Sequence, residues 1–360
     1  MKEFSCKTKI VCGSGAVSAL GTMNAKRLMV VADPFFVKNG TAERVAAQSG
    51  AQEVEIFADV TPDPSVALAA KGTARVKEFR PDVIAALGGG SAMDCAKAMV
   101  YFSGMDPKLV AIPTTSGSGS EVTDFAVLTH EGIKHPLIDP RLAPDLAILD
   151  DALLQEMPKS LIADAGFDVL AHALEGFVGI NASPVTDALA KDAFCSAFAS
   201  LPASFAGNKT VRLKIHTAAT MAGIAFTQAG LGLCHAVSHT LGGMYHISHG
   251  RLNAILLPEV INCNAHASGA KYALLARAAG LSGSADTVAV RNLKNALIRL
   301  RRELQLPQTL AQAGVDPRDI WRNMDAIVKA VLEDPCCKTN PIKVEDFMVR
   351  QVLEAVTGRV

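Results

Sequence analysis

The sequence has no excess of charge: 35 basic residues face 35 acidic ones over 360 positions. That removes the electrostatic footprint of a nucleic-acid reader. No apolar run approaches the roughly 18 to 20 residues that a membrane helix needs, although 49% of the residues are hydrophobic. The opening stretch, MKEFSCKTKIVCG, mixes charge in where a secretory signal needs an apolar core, so export is not expected. Eight cysteines form no C-x-x-C pair, and a chain this long has no need of disulfide staples. A reducing cytoplasm is the expected location, with the vicinal Cys336 and Cys337 read as buried, inert thiols. Also missing are G-x-G-x-x-G, a G-K-[ST] phosphate loop and H-E-x-x-H, the last of which leaves a metalloprotease little support.

What is present divides in two. Between positions 27 and 149 the β-rich runs LMVVAD, EVEIFAD, DVIAAL, KLVAIP and DLAILD recur, with helical stretches such as Ser65 to Phe79 between some of them. This alternation predicts a Rossmann-like α/β fold on a mostly parallel sheet, with its ligand site at the carboxyl ends of the strands. After about Met157 the texture becomes Ala- and Leu-rich with helical spacing, as in Leu161 to Phe177, Thr186 to Ala199 and Val290 to Leu304. The expected organisation is a dinucleotide-binding α/β domain over 1–157 and an all-α metal-binding domain over 158–360, joined at Pro158. With no Pro/Gly/Ser linker between them, the two are expected to share a cleft.

Two glycine-rich turns point to a nucleotide. GGGS (Gly88 to Ser91) follows the strand DVIAAL and opens a helix, where backbone N–H groups can meet a phosphate. Ser91 is placed to cap that helix, and Asp94 completes a capping-box pattern. The second turn, PTTSGSGSEVT from Pro113 to Thr123, follows another strand and is rich in hydroxyls. Asp33 ends LMVVAD, where a carboxylate can accept from a ribose 2′-hydroxyl and repel a 2′-phosphate, favouring NAD over NADP. Each turn alone is also compatible with ordinary loop structure, and Asp33 with an ordinary strand end.

The helical half gathers metal-ligating types. GFDVLAHALEG spaces Asp168 and His172 one helical turn apart, and His235 and His239 repeat that spacing in GLGLCHAVSHTLGGMYHISHG, with His246 and His249 following. Four ligands drawn from Asp168, His172, His235, His239 and His249 would make a mixed oxygen and nitrogen site suited to Fe(II) or Zn(II), unlike a Mg or Ca cage. Beside a nucleotide, such an ion suits hydride transfer, acting as a Lewis acid on a carbonyl or alkoxide.

Taken together, GGGSAMDCAKA (88–98), IPTTSGSGSEVT (112–123), GFDVLAHALE (166–175), TDALA (186–190) and GLGLCHAVSHTLGGMYHISHG (230–250) resemble the iron-dependent (group III) alcohol dehydrogenases along nearly the whole chain. Within that family the likeness is greatest to the 1-propanol dehydrogenases of propanediol-utilisation microcompartments. The resemblance implies metal ligation by Asp168, His172, His235 and His249, with His239 relaying protons. It implies a pyrophosphate on Gly89, Gly90 and Ser91 with Asp94 at the same helix start, and Thr114, Thr115 and Ser118 along the nicotinamide. It also implies Lys134 reaching a ribose and Asp33 on the adenosine ribose. His246 is left as a bystander. Ser248 stands where the family usually has a proline and Arg251 where it has a small or apolar residue, departures expected either to loosen the last ligand or to change metal preference and substrate size.

The expected function is a metal-dependent, NAD(H)-linked dehydrogenase interconverting short-chain aldehydes and primary alcohols, with Fe(II) or Zn(II). A homo-oligomer is expected, with microcompartment shell or enzyme partners. The alternatives are a polyol dehydrogenase of glycerol, lactaldehyde or 1,3-propanediol type, a dehydroquinate-synthase-like lyase, and a catalytically silent structural homologue.

Overall fold

The computed structural model describes residues 3–130 and 133–358. Its chain divides after Met157, Ser5–Met157 forming one compact unit and the segment from Pro158 onward another. The strands are β1 (Lys9–Cys12), β2 (Arg27–Ala32), β3 (Glu53–Phe57), β4 (Val83–Gly88), β5 (Lys108–Pro113), β6 (Phe125–His130), β7 (Ile133–Ile138) and β8 (Leu146–Leu149). Six of them form one sheet in the order β1-β8-β5-β4-β2-β3, with every pair parallel.

The five runs expected as strands are β2, β3, β4, β5 and β8. All but β3, an edge strand that alternates as EVEIF, read as nearly unbroken apolar runs because the sheet is covered on both faces there. Leu28, Val30 and Ala32 pack with Leu20 and Val45 on one side, while Met29 and Val31 meet Val76 and Met99 on the other. The sequence did not reveal β1 or the antiparallel ribbon β6–β7. β1 is a four-residue edge strand, and β7 carries Pro136, which the ribbon tolerates because both its strands are edges.

The strand order locates the ligand crevice. β3 lies on one side of β2 and β4 on the other, so the winding reverses between β2 and β4, and a crevice opens at their carboxyl ends. Asp33 and Gly88 sit there, with the Asp33 N–H donating to the Leu87 carbonyl at 3.2 Å.

Beyond Pro158 the described residues form helices and turns only. Pro158 is the N-cap of the helix Lys159–Val178, which the sequence predicts over 161–177. The predicted segments 186–199 and 290–304 fall on the helices Pro184–Phe205 and Asp286–Glu303. Lys159–Val178 is buried along most of its length and packs against the helices Pro184–Phe205, Arg212–Ala229 and His249–Ala278. A Cβ on Gly250 would overlap the Asp164 carbonyl oxygen. The start of His249–Ala278 can therefore lie against Lys159–Val178 only with glycine at that position. Among the described residues no helix is long and apolar enough to cross a membrane.

Candidate metal centre and nucleotide turns

In the sheet unit, Gly88 turns with φ +157°, and a Cβ there would come within 2.6 Å of Ala92 Cβ. The helix Gly90–Ser103 starts directly afterwards with Gly89 as N-cap and no side-chain capping bond. The capping box expected of Ser91 and Asp94 is therefore not formed: the turn closes two residues early, and both already lie in the helix. First-turn N–H groups without a side-chain cap are what an anion at this helix start requires.

The second turn folds over the first. A Cβ on Gly89 would stand 3.2 Å from Thr115 Oγ1, and one on Gly90 3.3 Å from Ser118 Oγ. The Thr114 N–H donates to the Gly88 carbonyl at 2.9 Å. Asp94 binds this second turn, its Oδ1 accepting from Ser120 Oγ at 3.1 Å. Beneath it, Lys97 is fully buried and donates to Ser120 Oγ, Thr123 Oγ1 and the Thr123 and Phe125 carbonyls at 2.8–3.0 Å. Burial raises the Asp94 carboxyl to about 6, against the opposing charge of Lys97. Burial likewise lowers Lys97 to about 8, against Asp94, Glu121 and Asp124.

Asp33 accepts from the Phe35 N–H at 2.8 Å and caps the short helix Pro34–Lys38. Its Cβ lies 3.5 Å from where a Gly88 Cβ would stand. Lys134 lies on β7 and forms an ion pair with Asp63 at 2.7 Å.

In the helical unit, the helix Lys159–Val178 presents Asp168 and His172, and the helix Leu233–Tyr245 brings His235 to them. One donor atom from each of these three lies within 4.8 Å of the others. His235 Nε2 is 3.9 Å from Asp168 Oδ1, and His172 Nδ1 is 4.0 Å from Asp168 Oδ2. The His172 ring stacks on His235 at 4.5 Å and on Phe226 at 4.4 Å. His239 meets His249 edge to face at 5.2 Å, and its Nδ1 bonds Asp334 Oδ2 at 2.8 Å. His249 begins the helix His249–Ala278. His246 is an exposed C-cap with φ 55°.

Two further residues complete this arrangement. Buried Glu175 bonds His235 Nδ1 at 2.6 Å and accepts from the Gly232 and Cys234 N–H groups at 3.0 and 2.7 Å. It therefore sits at the positive end of the helix that carries His235. With Glu175 taking Nδ1–H, His235 turns its Nε2 lone pair toward Asp168, the tautomer a metal ligand needs. Asn253 Nδ2 lies 2.8 Å from Asp168 Oδ1 and 3.2 Å from His235 Nε2. Burial works against the His235 imidazolium, yet its bond to Glu175 and the charges of Glu175, Asp168 and Asp334 hold its pKa above the ordinary value. Surroundings that favour a positive ring also favour a cation in its place. One carboxylate with imidazoles fits Fe(II) or Zn(II).

The model of the family described as iron-containing alcohol dehydrogenase matches residues 7–151, and that of the Fe-containing alcohol dehydrogenase family, C-terminal, matches residues 162–357. The chain belongs to the iron-containing alcohol dehydrogenase family. It is 39% identical over 368 residues to the 1-propanol dehydrogenase PduQ of Citrobacter freundii, covering 98% of this chain and 99% of that one. The iron-containing alcohol dehydrogenase of Thermococcus thioreducens superposes with a TM-score of 0.91 at 32% identity, over 99% of this chain and all of that one. A 1,3-propanediol oxidoreductase superposes with a TM-score of 0.93 at 29% identity, over 99% of this chain and 100% of that one. As a member of this family the chain is a metal-dependent, NAD(H)-linked alcohol dehydrogenase.

Two of the departures from the family pattern, Ser248 and Arg251, meet on Asp164. Ser248 Oγ bonds Asp164 Oδ2 at 2.8 Å, and Arg251 reaches both oxygens of Asp164 at 3.1 and 3.2 Å. Both side chains thus fasten the start of the His249 helix to the helix bearing Asp168. Cys336 and Cys337 depart from expectation, since both are partly exposed in a turn after Asp334.

Proposed function

We propose that the enzyme interconverts short-chain aldehydes and primary alcohols, of the propanal/1-propanol or acetaldehyde/ethanol type. The observation that carries this reading is full-length similarity to a 1-propanol dehydrogenase around a site whose adjacent cation is already engaged. Arg251 spends its guanidinium on Asp164, which counts against a polyanionic substrate and with it against the lyase alternative. Asp168, His172, His235 and His249 would hold the metal. When bound, the metal supplies a Lewis acid for the substrate oxygen and NAD(H) supplies or accepts the hydride.

The protein's own groups do the rest. Glu175 fixes the ring of His235, and Asn253 orients Asp168. Asp334 takes His239 Nδ1, leaving Nε2 as the nitrogen that carries a proton to or from the substrate oxygen. Phe226 walls His172 against water. Gly89, Gly90 and Ser91 would receive the pyrophosphate, with Asp94 steadying the second turn. Thr114, Thr115 and Ser118 would line the nicotinamide, Asp33 the adenosine ribose, and Lys134 a ribose once released from Asp63.

Structural likeness to a 1,3-propanediol oxidoreductase favours one second reading, a polyol dehydrogenase. Steady-state kcat/KM separates the two. Propanal should exceed 3-hydroxypropanal and dihydroxyacetone by roughly tenfold or more, and a preference for the hydroxylated substrates would reverse the assignment. The resemblance also supports a homo-oligomer housed in a bacterial microcompartment. Sedimentation, together with co-purification of shell proteins from the native host, tests both.

A further inference from the structure

His239 has a second set of neighbours besides its partners at the metal centre. Asp334 ends the helix Met324–Glu333 and caps the turn Pro335–Thr339, with Oδ1 accepting from the Cys336 N–H at 2.8 Å and Oδ2 held by His239 Nδ1 at 2.8 Å. Donor atoms of His239, Asp334 and Cys336 all lie within 4.8 Å of one another. The turn is fixed in place: Thr339 Oγ1 donates to the Leu231 carbonyl at 2.6 Å, and Asn340 Oδ1 accepts from the Leu233 N–H at 3.1 Å. Cys337 points elsewhere, its thiol donating to the Val331 carbonyl at 3.0 Å. The site is sheltered yet reachable, with 33% of the His239 side chain and 12% of Asp334 exposed.

We propose that His239, Asp334 and Cys336 form a second divalent-cation site, selective for a thiophilic ion of the zinc type, whose occupation removes His239 from proton transfer. The ligand chemistry distinguishes it from the first centre. Asp168 and the histidines beside it offer oxygen and nitrogen only, whereas this set adds a sulfur that selects zinc over magnesium or calcium and leaves a fourth tetrahedral position to water. On binding, the S–H bond of Cys336 gives way to a sulfur–metal bond and its proton leaves to solvent. The proton of the His239–Asp334 hydrogen bond shifts from Nδ1 to Nε2 through solvent, so that Nδ1 and an Asp334 oxygen are free to bind the ion; Nε2 then stays protonated, and nothing is oxidised or reduced.

The effect on turnover rests on the proton-relay reading of His239; the existence of the site does not. Holoenzyme carrying its primary metal is titrated with Co2+. One further equivalent should bind with a thiolate-to-cobalt charge-transfer band in the near ultraviolet, which oxygen and nitrogen ligands cannot produce, and Zn2+ should displace it. Cys336→Ser should abolish the band and weaken this binding by roughly 10- to 100-fold, while Cys337→Ser retains it. No further equivalent, or a band that survives Cys336→Ser, overturns the site. In parallel, saturating Zn2+ should slow aldehyde reduction by at least about a hundredfold, relative to each variant's own starting rate, and Cys336→Ser should escape. If the band behaves as expected and the rate does not move, the site stands and the relay role of His239 falls.

Discussion

At the ends of β2, β4 and β5 the residues that gather are small: Gly88, Gly89, Gly90, Thr115 and Ser118, placed so that the backbone of one turn comes close against the short side chains of the other. In the helical unit the residues that gather are Asp168, His172, Glu175, His235 and Asn253, whose side chains reach across helices to one another. The first arrangement is a shape made by leaving side chains out, and the second is a network made by putting them in. They should fail differently. Adding atoms should break the nucleotide turns, and deleting them should break the metal centre.

The largest effect is expected from deletion in the helical unit. Asp168→Ala removes the carboxylate that both His172 and His235 face, and it takes away the nearer of the two acceptors of Asn253 Nδ2. Elemental analysis should find the metal lost, and turnover should fall by at least about a thousandfold. Glu175→Gln keeps the volume but sets an amide against His235 Nδ1–H, and should weaken metal binding by roughly 10- to 100-fold. Full metal content in either variant would break the comparison.

The same contrast explains what could be read from the sequence. The buried strands were legible because a sheet covered on both faces leaves unbroken apolar runs. The cluster of Asp168, His172 and His235 was legible because metal-ligating residue types one helical turn apart stand out in an Ala-rich sequence. Glu175 follows on the same helix face as Asp168 and His172, a spacing signal that was there to use, but one glutamate on an Ala-rich helix also reads as a solvated residue. Asp334 had no local signal at all: it lies 95 positions from His239, and only the tertiary fold brings the two together. The misplaced cap at Ser91 has the same origin, since the Gly88 turn depends on the close approach of Asp33 and Ala92.

Addition in the sheet unit comes next. Gly88→Val forces a β-branched residue to φ +157° and into Ala92. Denaturant melts should show a loss of at least about 2 kcal/mol, with NADH binding by fluorescence weakened in step. Ser118→Ala, a deletion in the turn that folds over it, should stay within about 0.5 kcal/mol. Comparable losses from the two variants would mean that side chains, not shape, hold this turn.

A pH titration probes a place where the sheet unit does rely on buried charge. Burial raises folded Asp94 to about 6 from an ordinary 3.8, so between those values the folded protein holds the proton more tightly than the unfolded chain. Stability therefore falls as pH rises from about 4 to about 6 and is level above, while Asp94→Asn lacks that fall. Because Lys97 shares the network, the difference should be on the order of 1–3 kcal/mol. Parallel stability curves for the two proteins over this range would sink the idea.

The smallest effect is expected where the helical unit has added a contact at its margin. Arg251 and Ser248 hold Asp164 four residues before Asp168 on the same helix face, yet the Arg251 side chain is 38% exposed, so water screens the pair. Arg251→Leu, which restores the apolar character of the family pattern, should cost less than about 1 kcal/mol in a thermal melt and leave metal content unchanged. Ser248 still bonds Asp164 in that variant, and Gly250 still sets the close approach of the two helices. The position of His249 therefore does not depend on the guanidinium alone. A metal loss comparable to that of Glu175→Gln would show instead that the Asp164 clamp is part of the centre, and that the network of side chains extends a full helical turn beyond Asp168.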